Sequence, residues 1–113
     1  MLTYNNKTYI CYLDLGLEIL RKKWNPLILC FIGDAKTIRF SQLQKVLPSI
    51  SQKILSESLK SLIKEQFICK IVVPSSPPKV EYFLTTKGKQ LMELLRPIEN
   101  WTQKFYEKQI DAL

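Results

Sequence analysis

Four consecutive segments between residues 38 and 84 limit the fold more than any other feature of this chain. Ile38-Arg39-Phe40 reads as a short extended piece. Ser41 then offers a hydroxyl to cap a helix over Gln42–Leu47, which Pro48 closes. Ser51 caps a longer helix in which Ile54, Leu55, Leu59, Leu62 and Ile63 share one apolar stripe. Gln52, Lys53, Ser56, Glu57, Lys60 and Lys64 take the opposite face. The β-rich runs Ile68–Val73 and Val80–Leu84 follow, separated by Pro74-Ser75-Ser76-Pro77-Pro78-Lys79. Three prolines stiffen this loop, and it is too long for a two-residue hairpin turn, so it should project as a flap.

The flanks read as helices. Leu13, Leu17 and Leu20, with Ile19 beside them, recur at helical spacing between Cys11 and Lys23. Pro26 suits the first turn of a second helix running through Leu29 and Cys30 to Phe31, with Gly33 and Asp34 supplying the stop. After the β-rich runs, Thr85 or Thr86 caps a last helix. Its apolar residues Leu91, Leu94 or Leu95, Ile98, Trp101 and Phe105 repeat every three or four positions. Pro97 removes a backbone donor inside this helix, so a kink is expected there.

The order is helix, helix, short strand, helix, helix, hairpin, helix. That string predicts a mainly helical α+β fold, a winged helix-turn-helix, in one domain spanning residues 1–113. Its parts are an N-terminal arm (1–10), the helix-turn-helix (41–65), the wing hairpin (68–84) and a last helix suited to dimerisation (86–108).

Composition narrows the function classes. The 113 residues carry 17 Lys and Arg against 10 Asp and Glu, a formal charge of +7, which suits a polyanionic partner such as nucleic acid or an anionic membrane surface. There is no histidine, which excludes a His-based triad or His metal site. Cys11, Cys30 and Cys69 form no C-x-x-C pair, so neither a zinc knuckle nor a disulfide framework is indicated. No paired carboxylates, Gly-rich phosphate loop or nucleophile–base set is present, so an enzyme is not expected and no cofactor is called for. Met1–Tyr9 lacks the basic-then-apolar pattern of a secretion signal, and Leu27–Ile32 is too short to span a bilayer. The expectation is a cytoplasmic protein with no membrane partner.

An α-helix with an apolar back and short polar or basic residues outward fits the DNA major groove. Ser51, Gln52, Lys53 and Ser56 lie at the N-terminal end, which usually enters it. Gln52 suits an adenine edge and Lys53 a guanine, while Ser51 and the free amides around it can instead hold a phosphate. Lys60 and Lys64, one and two turns further on, suit backbone phosphates. Lys36 and Arg39 are similar candidates, and Lys79 can reach a flanking groove or phosphate from the flap. Such contacts make binding salt-sensitive without specifying sequence. A solvated helix face and a hairpin without contacts are the bland readings of the same residues.

The pattern of Cys11, Leu17 through Lys23-Trp24, Ile28-Leu29, Arg39-Phe40, Leu43, Leu47-Pro48 and Ile50-Ser51 continues through Leu55, Leu59, Leu62, Pro77-Pro78 and Val80-Glu81-Tyr82. With Leu84-Thr85, Gly88 and Trp101, it resembles the HxlR-type winged-helix regulators, over about Cys11 to Phe105. The resemblance implies a MarR-like bacterial or archaeal transcription factor that binds palindromic operators as a homodimer through its first and last helices. It also implies, for some members, sensing of oxidants or electrophiles through an N-terminal cysteine, matched here by Cys11. The chain departs from the pattern in three places. Lys22-Lys23-Trp24 stands for Gly-Lys-Trp, Ser58 replaces a basic residue late in the recognition helix, and Tyr12 replaces the proline after the cysteine.

Cys11 precedes the first helix, where amide dipoles favour a reactive thiolate, and Lys7, Arg21 or Lys22 can add positive charge. A free cysteine is also commonly an inert hydrophobe, the reading preferred for Cys30 and Cys69. No second cysteine lies near the C-terminus, so a bridge to one there is unavailable. Trp24 and Trp101 read as core or interface before they read as effector pocket. Leu13, Leu17, Leu91, Leu95, Ile98, Trp101 and Phe105 are the expected dimer seam. A winged-helix module that binds protein and no longer reads DNA remains the alternative function.

Overall fold

The apolar periodicities resolve into packed elements in a computed structural model that describes residues 1–22 and 24–111. Lys23 lies outside the described residues. An N-terminal hairpin, β1 (Leu2–Tyr4) and β2 (Lys7–Tyr9), precedes α1 (Tyr12–Leu20) and α2 (Trp24–Ala35). Then come β3 (Ile38–Arg39), α3 (Phe40–Val46), α4 (Gln52–Lys64), β4 (Ile68–Val73), β5 (Lys79–Leu84) and α5 (Thr86–Tyr106), which ends in a short 3-10 turn. The antiparallel sheet has the order β3-β5-β4, with Ile38 opposite Tyr82, and Ile68 opposite Leu84. This is a winged helix-turn-helix: α3 and α4 form the pair, and β4–β5 the wing.

One core joins these elements. Ile28, Leu29 and Ile32 of α2 meet Leu43 of α3, Leu55, Leu59 and Leu62 of α4, and Ile68, Tyr82 and Leu84 of the wing. The alternation of the strands sends one side of the wing into this core, which fixes the sheet against the back of α4. Ile54 departs from the expected stripe, since it stays 38% exposed at its edge.

Three local readings are corrected. Helix α2 does not stop at Gly33 but continues to Ala35. Gly33 serves close packing instead, because a Cβ there would lie 2.2 Å from the Met92 sulfur of α5. The left-handed residue that ends the helix is Lys36, with φ 67°. Helix α3 begins at Phe40 rather than Gln42, with Arg39 as its N-cap. Ser41 therefore sits inside the first turn, and the Arg39 N–H donates to Gln42 Oε1 at 2.9 Å, the reach-back bond of a capping box. The arm, to which the sequence assigned no element, is a hairpin: Leu2 pairs with Tyr9 and Tyr4 with Lys7. Its two-residue turn places Asn5 and Asn6 at φ 50° and 62°, the left-handed pair that favours asparagine.

Helix α5 is continuous through Pro97. The Gly88 N–H donates to Thr85 Oγ1 at 3.1 Å, which settles the cap on Thr85. Thr85 also ties α5 to the wing root, since its N–H donates to the Phe67 carbonyl at 3.0 Å.

Candidate nucleic-acid interface

Helix α4 is anchored by its buried leucines, and its start is set by Ser51. The Ile54 N–H donates to Ser51 Oγ at 3.1 Å, and the Leu55 N–H to the Ser51 carbonyl at 2.9 Å. The N–H groups of Gln52 and Lys53 come before the helix can supply partners, so they face outward. A hydroxyl that accepts one bond still has a proton to donate. The start of α4 thus presents the Ser51 O–H and two amides together, with the helix dipole behind them, a cradle for an anionic oxygen.

Along the outer face, Gln52, Lys53, Lys60 and Lys64 are exposed and Ser56 is half-buried. Ser58 is 9% exposed, so this position faces the protein rather than the outward surface. Lys36 is exposed beside α3, Arg39 is half-buried at its cap, and Lys79 is exposed at the tip end of β5. Two further exposed cations, Lys45 on α3 and Lys70 on β4, lie on the same elements. Sequence reading passed over both because neither falls on the long amphipathic helix, the flap or the approach to α3.

Charge partners sharpen the division of the surface. Among the described residues, the ion pairs are Lys7–Glu18, Arg21–Glu18, Arg96–Asp34 and Arg96–Glu99. All of them lie on the hairpin, α1, α2 and α5. Among the described residues, none of the candidate cations of α4, the α3 approach or the wing has a carboxylate partner, even though Glu81 stands opposite Arg39 in the sheet register. The lysines of this face are left without internal neutralisation, whereas Lys87 is occupied by the Glu65 carbonyl at 2.7 Å and the Phe67 ring.

Cys11 is exposed and is the N-cap residue of α1, with the Leu15 N–H donating to its carbonyl at 3.2 Å. The Ile10 N–H donates to Asp14 Oδ2 at 2.9 Å, so a carboxylate already occupies this helix start. The cations expected near the thiol are engaged elsewhere: Lys7 and Arg21 with Glu18, and Lys22 with Ser61 Oγ at 3.4 Å. Cys30 and Cys69 are half-buried, and burial pushes the Cys30 thiol up while nearby Arg96 partly opposes the shift.

The expected dimer seam divides in two. Leu13, Leu17, Ile98, Trp101 and Phe105 are exposed, with Leu13 at 70% and Trp101 at 56%. Leu91 and Leu95 pack against the core of the chain itself. Leu94 and Tyr12 extend the exposed stripes of α5 and α1, and Leu27 and Phe31 add exposed apolar surface on α2. Among the described residues, no helix is long and apolar enough to cross a membrane.

Comparison with known proteins agrees with this geometry. Residues 19–110 match the family described as HxlR-like helix-turn-helix. The HTH-type transcriptional regulator YodB of Bacillus subtilis is 35% identical over 95 residues, covering 84% of this chain and 84% of its own. The reduced form of YodB superposes with a TM-score of 0.75 at 32% identity, covering 89% of this chain and 98% of that one. Diamide-treated and quinone-bound forms of YodB share the fold. The redox regulator HypR in its oxidized form gives a TM-score of 0.77 at 27% identity, covering 90% of this chain and all of that one.

Proposed function

Because this chain belongs to the HxlR-like helix-turn-helix family of transcriptional regulators, we propose that it binds a palindromic operator as a homodimer, with α4 in the major groove and Cys11 as a sensor of oxidants or electrophiles. The observation that carries the DNA reading is the outer face of α4, capped by Ser51, with exposed cations that have no acidic partner among the described residues. Gln52 and Lys53 are assigned to base edges and Ser51 with Ser56 to the groove entrance. Lys60, Lys64, Lys36, Arg39 and Lys79 are assigned to phosphates. A protein-docking module would have little use for so many unneutralised lysines beside a helix N-terminus.

The dimer reading rests on exposed apolar stripes. Leu13 and Leu17 on α1, with Leu94, Ile98, Trp101 and Phe105 on α5, are too much apolar surface for a monomer to leave in water without a role. A second copy supplies the same stripes, and a two-fold pair sets its recognition helices about 34 Å apart, one turn of DNA. Cys11 adjoins Tyr12 and Leu13 at the start of this surface. Adduct formation or oxidation there would disturb the packing of α1 and, through the dimer, the spacing of the two α4 helices. The quinone-bound and diamide-treated forms of the relative YodB support a thiol-based signal.

Selection of bound genomic fragments, followed by sequencing, tests the reading. Recovery of one palindromic motif is expected, and recovery of random fragments at moderate salt would overturn it. Diamide should weaken operator binding by the wild type and leave Cys11→Ser unaffected; equal responses would remove Cys11 as the sensor.

A further inference from the structure

A groove of about 610 Å³ crosses the root of the wing, between the end of α2 and the start of α5. Among the described residues, none of α4 lines it. Tyr82 and Leu84 of β5 enter the core, so Phe83 between them projects from the opposite side of the sheet. Ile71 of β4 shares that side, because Cys69 stands opposite Phe83 and Ile71 lies two residues further along. Phe83 and Met92 are half-buried and Ile71 is 43% exposed, which makes an apolar floor open to water. Phe83 lies roughly 13 Å along β5 from Lys79 at the tip end, at ~3.3 Å per residue, so the floor is set well back from the flap.

Charge on the rim is one-sided. Lys36 and Lys89 are exposed, and among the described residues neither has a carboxylate partner. Glu93 is the single acid among the described lining residues. Glu81, on the same side of the sheet, stands opposite Arg39, so those two charges offset each other. Met92 makes the floor adaptable: its sulfur lies where Gly33 has no Cβ, and an unbranched thioether repacks around different side chains. In the order β3-β5-β4, β4 is an outer strand, and its free edge can accept the main chain of an added extended segment.

We propose that this groove docks an extended, acidic segment of another protein. An aromatic or large aliphatic side chain of that segment rests on Ile71, Phe83 and Met92, while its carboxylates meet Lys89 and Lys36. A small anion would leave the apolar floor wet, and an apolar ligand would leave the lysines unmatched. A peptide that alternates the two chemistries uses both, because alternate side chains of a strand fall on one side. The docking stands whether or not α4 reads DNA. Lys36 also serves the DNA reading, so Lys89 is the cation that discriminates between the two.

The full-length protein is titrated with a short synthetic peptide in which Asp alternates with Phe and Leu, and amide NMR shifts are followed. Saturable shifts confined to residues 33–37, 69–73, 81–84 and 89–93 are expected, with no displacement by a short DNA duplex. Peptides with Lys in place of Asp, or Ser in place of Phe and Leu, should bind about tenfold more weakly or worse. Lys89→Glu should weaken the Asp peptide about fivefold, the upper worth of an exposed ion pair. Glu93→Lys removes the acid of the rim and should tighten the same peptide about threefold, a gain that misfolding cannot produce. Shifts centred on α4 and the flap, displacement by the duplex, or equal binding of the Lys peptide would overturn the proposal, since each would mark ordinary attraction to the protein surface. Absent binding, or a Glu93→Lys protein no tighter than wild type, would overturn it as well.

Discussion

Ser51 separates the stability of α4 from its use, because one atom serves both. Ser51 Oγ accepts the Ile54 N–H at 3.1 Å, and an N-cap of this kind is worth ~1 kcal/mol. Ser51→Ala should lower the unfolding free energy by about that amount in a urea titration. Ser51→Asp keeps an oxygen on the same N–H and adds a negative charge beside the helix N-terminus, a gain of ~0.3–1 kcal/mol. Stability should therefore rank Asp at or above Ser, and Ser above Ala. DNA binding should rank differently. A carboxylate placed about 4 Å from a phosphate is repelled by ~1 kcal/mol in bulk water and ~4 kcal/mol at the dielectric of a protein surface. Since ~1.4 kcal/mol is tenfold, each half-site should lose between about fivefold and several hundredfold, twice over in a dimer. Ser51→Ala loses only a donor, so fluorescence anisotropy on one duplex at fixed salt should rank Ser above Ala above Asp. Binding by Ser51→Asp as tight as wild type would refute the placement of a phosphate at the start of α4.

Other consequences follow from the same geometry. Lys64→Ala should weaken all duplexes alike and reduce the slope of log affinity against log salt by about one, whereas an unchanged slope would take Lys64 off the DNA. Trp101→Glu should convert dimer to monomer in sedimentation while preserving the helical circular dichroism; a surviving dimer would remove α5 from the interface. Gly88→Ala forces a Cβ to 2.1 Å from the Phe67 carbonyl oxygen, which is fixed backbone, while Gly33→Ala meets only the movable ends of Met92 and Leu84. The first should cost ~2 kcal/mol or more and the second less than ~1 kcal/mol, after a helix-propensity gain in each; the reverse order in urea would contradict the packing. Burial raises the Cys30 thiol above its ordinary 9.0 and the Tyr82 phenol above its ordinary 10.0. Their contribution is complete below pH 9 and is lost as pH rises through the folded values, and Cys30→Ala with Tyr82→Phe should flatten that alkaline decline.

The recognition helix was legible because two independent signals coincide in it. Leu55, Leu59 and Leu62 repeat at helical spacing, and Ser51 stands where a cap must stand. The wing was legible from a β-branched run before the prolines and a partly aromatic one after them. The N-terminal hairpin was not, because strands of three residues carry almost no periodicity and the turn signal is confined to Asn5 and Asn6. Gly33 misled for a different reason: glycine both ends helices and admits close neighbours, and only the position of Met92 decides which. Arg39 shows the same limit, since it takes the cap position two residues before the serine that looked suited to it, with its N–H held by the side chain of Gln42. Along α5 the helical spacing of Leu91 and Leu95 with Ile98 and Trp101 is uniform. The division between core and exposed seam depends on where α2 lies against α5, which no single helix records.

The central claim is that the exposed start of α4 reads base pairs. Its most direct test is the ratio of affinities for the selected operator and a scrambled duplex of the same length, measured at several salt concentrations for wild type and Gln52→Ala/Lys53→Ala. The account predicts a large ratio for wild type at every salt, and in the double variant a ratio near one with binding to scrambled DNA largely retained. A double variant that keeps the wild-type ratio would show that sequence is read elsewhere, and the claim would fail.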